Sequence, residues 1–389
     1  MLETPATSVS FKRIAAEELS KSRLFCETID LSGVRFSYAT RRVPRDAIAT
    51  LLPIPEKPQP GQLALAQLEK IGKNGRLELA DGRNCTLYEG DVLAVVFGNR
   101  YATNQFEGYA GANGTSCDLM SMGGLCGLVA SKHSAVPDPS RLKLIGLLAD
   151  QEARPIGIGD YGLSPASEVA LPVRPTLPPV IAVCGTSMDA GKTYTVTSLV
   201  RGLRGSDRQV ASIKLTGTAS GRDTWSMRDA GAFPALDFID GGFASTYLCS
   251  TGDLLKLFHR LRAHAADQGA DCITLEIADG LLQRETAALL RDPAFISEIN
   301  TWVLAAGDAM GAIAGVELMR DLGLQPAFIS GILTQSPLAM GEAEAITGIR
   351  CVTAAQLREG SMTEIILPES HSVQRLQPSV ETACTGVHV

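Results

Sequence analysis

The chain has 389 residues, more than a typical domain of ~100–200 residues, so two domains are expected. Its hydrophobic fraction of 45% supports sizeable cores, and 20% charged residues with a net charge of -7 argue against wholesale disorder. No Lys/Arg run stands out, which speaks against a nucleic-acid or anionic-membrane partner, since either calls for a basic stripe.

The opening MLETPATSVSFKRIAAEELS has no apolar stretch long enough for a signal peptide, and nowhere do about 18 uninterrupted apolar residues occur. A soluble, cytoplasmic protein is expected. The nine cysteines are odd in number and scattered. Cys184, Cys272 and Cys351 lie in apolar runs, where cysteine acts as a small buried hydrophobe. Cys117 and Cys126 are too far apart for a metal knuckle, so no zinc site is expected.

Residues 1–163 read as a β-rich domain. Short apolar runs, QLALAQL (62–68), RLELA (76–80), DVLAVVFG (91–98) and LKLIGLLA (142–149), are separated by Gly, Asn and Asp turns. Between them YATNQFEGYAGANGTSCDLMSMGGLCGLVA reads as a long, functional loop. Asn99, Arg100, Tyr101 and Glu107 form a polar cluster just after a strand, either lining a substrate pocket or closing a turn. In SPASEVALPVRPTLPP the prolines Pro165, Pro172, Pro175, Pro178 and Pro179 fix φ and withhold donors, which makes residues 164–178 an extended linker.

Over residues 179–358 the rhythm changes. VIAVCG (180–185), VASIKL (210–215), DCITLEIA (271–278), TWVLAAG (301–307), PAFISGIL (326–333) and IRCVTA (350–354) read as buried strands. Helices are expected over 191–204, 251–267, 308–322 and 337–346. Apolar strands alternating with helices imply an α/β fold with a parallel sheet covered on both faces. Residues 359–389 show no strong period and read as a tail or as a segment that embraces a partner.

The central motif is Gly185-Thr186-Ser187-Met188-Asp189-Ala190-Gly191-Lys192-Thr193, placed between an apolar strand and a helix. In that context it predicts a phosphate-binding loop. Glycines let the backbone wrap round a phosphate, and the amides at the helix start point at it. Lys192 supplies a point charge to the β and γ phosphates, and the Thr193 hydroxyl suits Mg2+, a hard ion. The usual spacing puts four residues between the glycines; Gly185 and Gly191 have five between them.

GTSMDAGKT resembles the longer phosphate loop of the P-loop dethiobiotin synthetases and their relatives, the amide-forming domains of cobyrinic acid synthases and the synthetase domain of CTP synthase. VASIKLTGT supplies Lys214, Thr216 and Gly217, and LEIADG supplies Glu276, Asp279 and Gly280, in that group's order. The likeness covers residues 179–358, and the preceding β-rich part is foreign to it. Ser187 stands where dethiobiotin synthetase has Asp, EIADG replaces EGAGG, and SGILTQSP occupies the strand end where relatives often carry an Asn near the adenine. DTWSMRDAGAFPALDFIDGGFAST also resembles the molybdopterin-guanine dinucleotide adaptor proteins, so biotin synthesis itself is not expected.

The resemblance implies ATP and Mg2+ as cofactors and a homodimer. Strand carboxyl ends in a parallel sheet converge on one crevice, which gathers Lys192, Lys214 and Glu276 as catalytic candidates. Thr193, Asp223 and Glu276 are the metal candidates, with Asp229 as a rival to Asp223. Lys214 also reads as a solvated strand-end lysine, Glu276 as a turn cap, and Asp223 as a helix N-cap. Arg222 and Arg284 are candidates for gripping a carboxylate or phosphate. The expected function is an ATP-dependent ligase that activates a small-molecule carboxylate for attack by an amine. A small-molecule kinase and a nucleotide-binding adaptor are the alternatives.

Overall fold

A strand that is apolar at every position has two faces to bury, and that requirement sets the architecture. The computed structural model describes residues 29–164 and 177–367, so most of the expected linker and the tail beyond 367 lie outside the described residues. The first part holds β1 (Arg35–Phe36), β2 (Thr50–Leu52), β3 (Leu63–Lys70), β4 (Arg76–Glu78), β5 (Asn84–Thr86) and β6 (Val92–Phe97). It continues with β7 (Arg100–Tyr101), β8 (Phe106–Tyr109), β9 (Ser116–Leu119), β10 (Leu125–Lys132) and β11 (Ser140–Ala149).

Five of these strands pair in a ring. β6 runs antiparallel to β3, β3 to β11, β11 to β9 and β9 to β10. β10 then returns to β6 in parallel, Leu125 opposite Val96 and Cys126 opposite Phe97. A closed ring is a barrel, which leaves no open edge among its members. Ala64, Ala66, Leu93, Val95, Phe97 and Leu142 belong to its interior. The alternate residues Leu63, Leu65, Ala94 and Val96 join a second core shared with the rest of the chain.

The expected long loop after Arg100 is instead β8, β9 and β10. Its glycines lie where strands crowd: a Cβ on Gly108 would meet the Leu128 carbonyl oxygen at 2.8 Å, and one on Gly127 the Tyr109 oxygen at 2.3 Å. Composition alone cannot tell a crowded strand from a loop.

The second part holds β12 (Val180–Gly185), β13 (Val210–Lys214), β14 (Ala235–Asp237), β15 (Cys272–Glu276), β16 (Thr301–Ala305) and β17 (Pro326–Ser330). These strands form a parallel sheet in the order β14-β13-β15-β12-β16-β17. The helices are α1 (Lys192–Gly205), α2 (Arg222–Asp229), α3 (Thr251–Asp267), α4 (Arg284–Leu289), α5 (Pro293–Ile296), α6 (Ala309–Asp321), α7 (Pro337–Thr347), α8 (Ala354–Arg358) and α9 (Thr363–Ile366). Ile181 and Val183 face the core of α1, α2 and α8, whereas Val180, Ala182 and Cys184 face the core that reaches α3, α6 and the barrel. The mixed α/β fold with a parallel sheet is as the apolar runs imply. The expected strand at 350–354 reduces to a single bridge from Cys351 to Ile329. Thr353 and Gln356 form a capping box that turns the chain into α8.

Polar contacts tie the barrel to the sheet. Tyr38 donates its hydroxyl hydrogen to Asp237 at 2.7 Å, and Arg41 pairs with Asp237 at 2.7 Å and Asp240 at 2.8 Å. Cys184, Cys272 and Cys351 are buried, and burial pushes their thiols up to about 12, about 12 and about 11. Among the described residues no helix is long and apolar enough to cross a membrane.

Gly202 shows how tightly α1 packs on α8, since a Cβ there would lie 2.0 Å from the Leu357 carbonyl oxygen. Alanine usually gains about 0.5–1 kcal/mol over glycine inside a helix, but overpacking costs about 1–3 kcal/mol. Gly202→Ala is therefore expected to destabilise the protein, seen as a lower urea midpoint at unchanged slope. An unchanged or higher midpoint would show that α8 yields freely.

Candidate functional site

The loop from Gly185 to Thr193 links β12 to α1, and its shape follows from what surrounds it. A Cβ on Gly185 would strike the Lys192 stem at 2.8 Å, so only glycine lets that lysine cross the loop it follows. Lys192 Nζ donates back to the Ser187 carbonyl at 2.8 Å. Gly191, the residue before α1, has φ 95° and no side-chain cap. Among the described residues the amides of Met188, Asp189, Gly191, Lys192 and Thr193 find no backbone acceptor. Uncapped amides at a helix start form a site for an anion. The longer loop turns through Asp189 at φ 63°, a region Asp tolerates, and Asn104 of the barrel half donates to Asp189 at 2.9 Å.

The strand ends deliver the charged groups. Lys214 closes β13 and Glu276 closes β15, and these residues are register partners. Both are buried, so Lys214 is not a solvated lysine, and the Glu276 carboxylate accepts no backbone amide among the described residues, as a turn cap would. Lys214 Nζ lies 3.6 Å from Glu276 Oε1 and bonds Asp223 directly. Asp223 sits in the first turn of α2, where Gly221 is the capping residue and no side chain caps. The N-cap reading of Asp223 is thus replaced by an ion pair. Thr193 donates its hydroxyl hydrogen to Glu276 Oε1 at 3.2 Å, leaving Glu276 Oε2 buried with no hydrogen-bond partner.

Burial alone would discharge Lys214, but Asp223 and Glu276 outweigh it and hold its pKa above the ordinary value. Burial dominates at Lys192, whose pKa is lowered despite Glu276 and Asp279. Burial raises Glu276, with Lys214 opposing; at Asp223 burial also resists ionisation, and the Lys214 charge prevails to lower it.

These groups line one cavity of about 410 Å³ together with Met188, Asp189, Gly191 and Thr193. Tyr194 and Thr197 of α1, Arg222 and Ser226 of α2, Ala278 and Asp279 complete its wall. Tyr194 with Thr197 and Arg222 with Ser226 have the i,i+3 and i,i+4 spacing that brings helix residues onto one face, a signal present in the sequence. Gly185, Thr186, Ser187 and Ala190 shape the loop without lining the cavity.

Other candidates lie elsewhere. Asp229 is exposed at the far end of α2, and Arg284 pairs with Glu285 at 3.3 Å. Asn99 accepts from the Ala110 amide at 2.9 Å, Tyr101 packs on Tyr247 at 5.4 Å, and Glu107 accepts from the hydroxyls of Tyr109 at 2.7 Å and Tyr247 at 3.0 Å. That part of the cluster is a turn and contact network. Arg100 is buried with Nε and Nη1 unpartnered.

No family model matches the sequence, and no curated protein matches it. Among solved structures the chain is similar to the signal recognition particle 54 kDa protein of Aeropyrum pernix K1 in complex with GDP (18% identity, TM-score 0.35, 52% of this chain and 49% of that one). It is also similar to the kinase domain of the Escherichia coli tyrosine kinase ETK (18% identity, TM-score 0.29, 41% and 69%). A third is a ParA family ATPase from Chlorobium tepidum TLS (11% identity, TM-score 0.30, 50% and 94%). The match spans about half the length of the signal recognition particle protein. At such TM-scores fold and site rest on the chain's own residues.

Replacing Lys214 by Met strands two carboxylates around an apolar stem. Breaking a buried pair this way costs about 3–5 kcal/mol, read as a loss of denaturant stability at pH 7. With the ammonium gone, both carboxyls have folded-state pKa values above their unfolded ones, so they bind protons more tightly when folded. Part of the loss should return as pH falls from 7 to 5. A deficit that does not change with pH would contradict this account.

Proposed function

We propose that the chain binds a nucleoside triphosphate with magnesium and passes the γ-phosphoryl group to a small-molecule carboxylate, whose acyl phosphate an amine then attacks: an ATP-dependent ligase. The observation that supports this reading is the meeting of Lys192, Lys214 and Glu276 in one cavity, at the uncapped start of α1. Phosphoryl transfer needs little covalent help and much electrostatic stabilisation, which two ammonium groups supply to phosphate oxygens. Arg222, exposed on the cavity wall, is the cation open to an acceptor carboxylate.

The residues present fit a magnesium ion through Thr193 and Glu276: a hydroxyl oxygen and the partnerless, buried Oε2 are both hard donors. No group of three or more His, Cys, Asp or Glu able to hold a metal occurs among the described residues, in keeping with an ion that takes one or two carboxylates and completes its shell with phosphate and water oxygens. The bound ion would neutralise charge on the phosphates. Asp223 serves as the counter-ion of Lys214 in this structure, and its place at the metal remains a proposal.

The Asn104–Asp189 contact favours a second reading, in which occupancy of the loop is felt by the barrel half and the protein acts as a nucleotide-regulated adaptor. A homodimer is proposed on resemblance alone, and light scattering checks it.

Calorimetry with ATP and GTP, each with magnesium, should detect binding of at least one, weakened about 10–100-fold by Lys192→Ala, the worth of a charge-assisted hydrogen bond or two. An amide product and ADP from a panel of carboxylates and amines would support the ligase. A stable phosphorylated product formed without amine would make the protein a kinase, and binding without turnover an adaptor. If neither nucleotide associates, the proposal fails.

A further inference from the structure

Asp279 is not needed to explain the phosphate, magnesium or Lys214 contacts, and it lines the cavity beside them. Its carboxylate accepts no hydrogen bond from any described residue. It follows directly on Ala278, whose backbone is fixed twice by Thr216: the Thr216 hydroxyl accepts from the Ala278 amide at 2.8 Å and donates to the Ala278 carbonyl at 2.6 Å. The next residue, Gly280, lies against the phosphate loop, where a Cβ would come 2.8 Å from Ser187 Cα. Asp279 is therefore held at a set place against the loop, with an oxygen-bearing side chain facing the cavity and no partner in it.

The charges around it come from both halves of the chain. Burial raises the Asp279 pKa, opposed by the charges of Lys192 on α1, Lys214 on β13 and Arg100 on β7 of the barrel half, while the charge of Asp189 on the loop adds to the rise. Arg100 is buried, its Nη2 donating to Gln105 at 2.8 Å while Nε and Nη1 have no partner. Burial pushes its pKa down to about 10, and the acidic group that opposes this is Asp279. Asn104, in the turn after β7, reaches Asp189. A buried guanidinium with free donors is costly unless a carboxylate's field compensates it.

Resting on the nucleotide-binding reading above, we propose that Asp279 receives the proton-bearing nucleophile, orienting the amine of the ligase reaction toward the acyl phosphate, or water toward the γ-phosphoryl group when no acceptor is present. With the amine, the new C–N bond forms as the acyl C–O bond to the phosphoryl group breaks, inorganic phosphate leaves with the bonding pair, and the amine proton passes to the Asp279 carboxylate. With water, the new O–P bond forms as the bridging P–O bond breaks. The bonding pair leaves on the nucleoside diphosphate, and the proton shed by water passes to the Asp279 carboxylate and then to solvent. The chemical class received at Asp279 is a small neutral N–H or O–H donor.

The test uses the full chain, ADP with magnesium, and aluminium fluoride, which is trapped with ADP only when a nucleophile is aligned on its axis. Wild type should trap the fluoride, and Asp279→Asn should lose trapping and any basal ATP or GTP hydrolysis by about 100-fold, the usual worth of a positioned proton acceptor, with the ADP Kd changed less than twofold. Trapping in Asp279→Asn equal to wild type, or a wild type that binds ADP and traps no fluoride, overturns the inference. Failure to bind ADP or ATP at all sinks the nucleotide reading instead.

Discussion

Much of this structure depends on one buried ammonium group. Lys214 ends β13 beneath the surface, between Asp223 of α2 and Glu276 of β15. A charge in that position is tolerable only while its partners are present, so one side chain fixes the mutual placement of two strand ends and a helix. Glu276 extends the set to α1 through the Thr193 hydroxyl. The result is a small, charge-balanced floor whose remaining unsatisfied groups, Glu276 Oε2 and the loop amides, all ask for a charged ligand.

The barrel half takes part in building that floor. Glu78 of β4 accepts from the Gly221 amide at 2.8 Å and from Trp225 Nε1 at 2.9 Å, holding the start of α2 where Arg222 and Asp223 emerge. Burial raises the Glu78 pKa, with those two donors opposing. Ser121 donates to the Ala219 carbonyl at 3.0 Å just upstream. Such contacts, with Asn104 on the phosphate loop, mean that two separately read stretches of sequence share one site as well as one apolar core.

Where the structure differs from the local reading, a side chain or glycine meets a partner that composition and capping rules do not supply. Asp223 has the chemistry of a helix cap, but Lys214 lies close enough to take its carboxylate. The glycine-rich stretch after Arg100 has the composition of a loop, but its glycines admit neighbouring strands. Asn99, Tyr101 and Glu107 could have lined a pocket, and they are occupied by Ala110, Tyr247 and Tyr109. Ser187, EIADG and SGILTQSP depart from the resembled pattern, and Asp279 of EIADG lines the cavity.

What the sequence by itself determined is local and periodic. Runs such as VIAVCG and VASIKL, alternating with helices, set the parallel sheet, and the loop ending in Lys192 and Thr193 set a helix start able to hold an anion, because hydrophobic period and glycine permissiveness act over a few residues. Only the tertiary structure decided that the first half closes into a barrel through the β6–β10 pairing, that Lys214 bridges Asp223 and Glu276, and that Arg100 is buried with two nitrogens unpartnered. Those depend on packing and on the field of charges brought together from far apart in the chain, and neither is written in the spacing of neighbours.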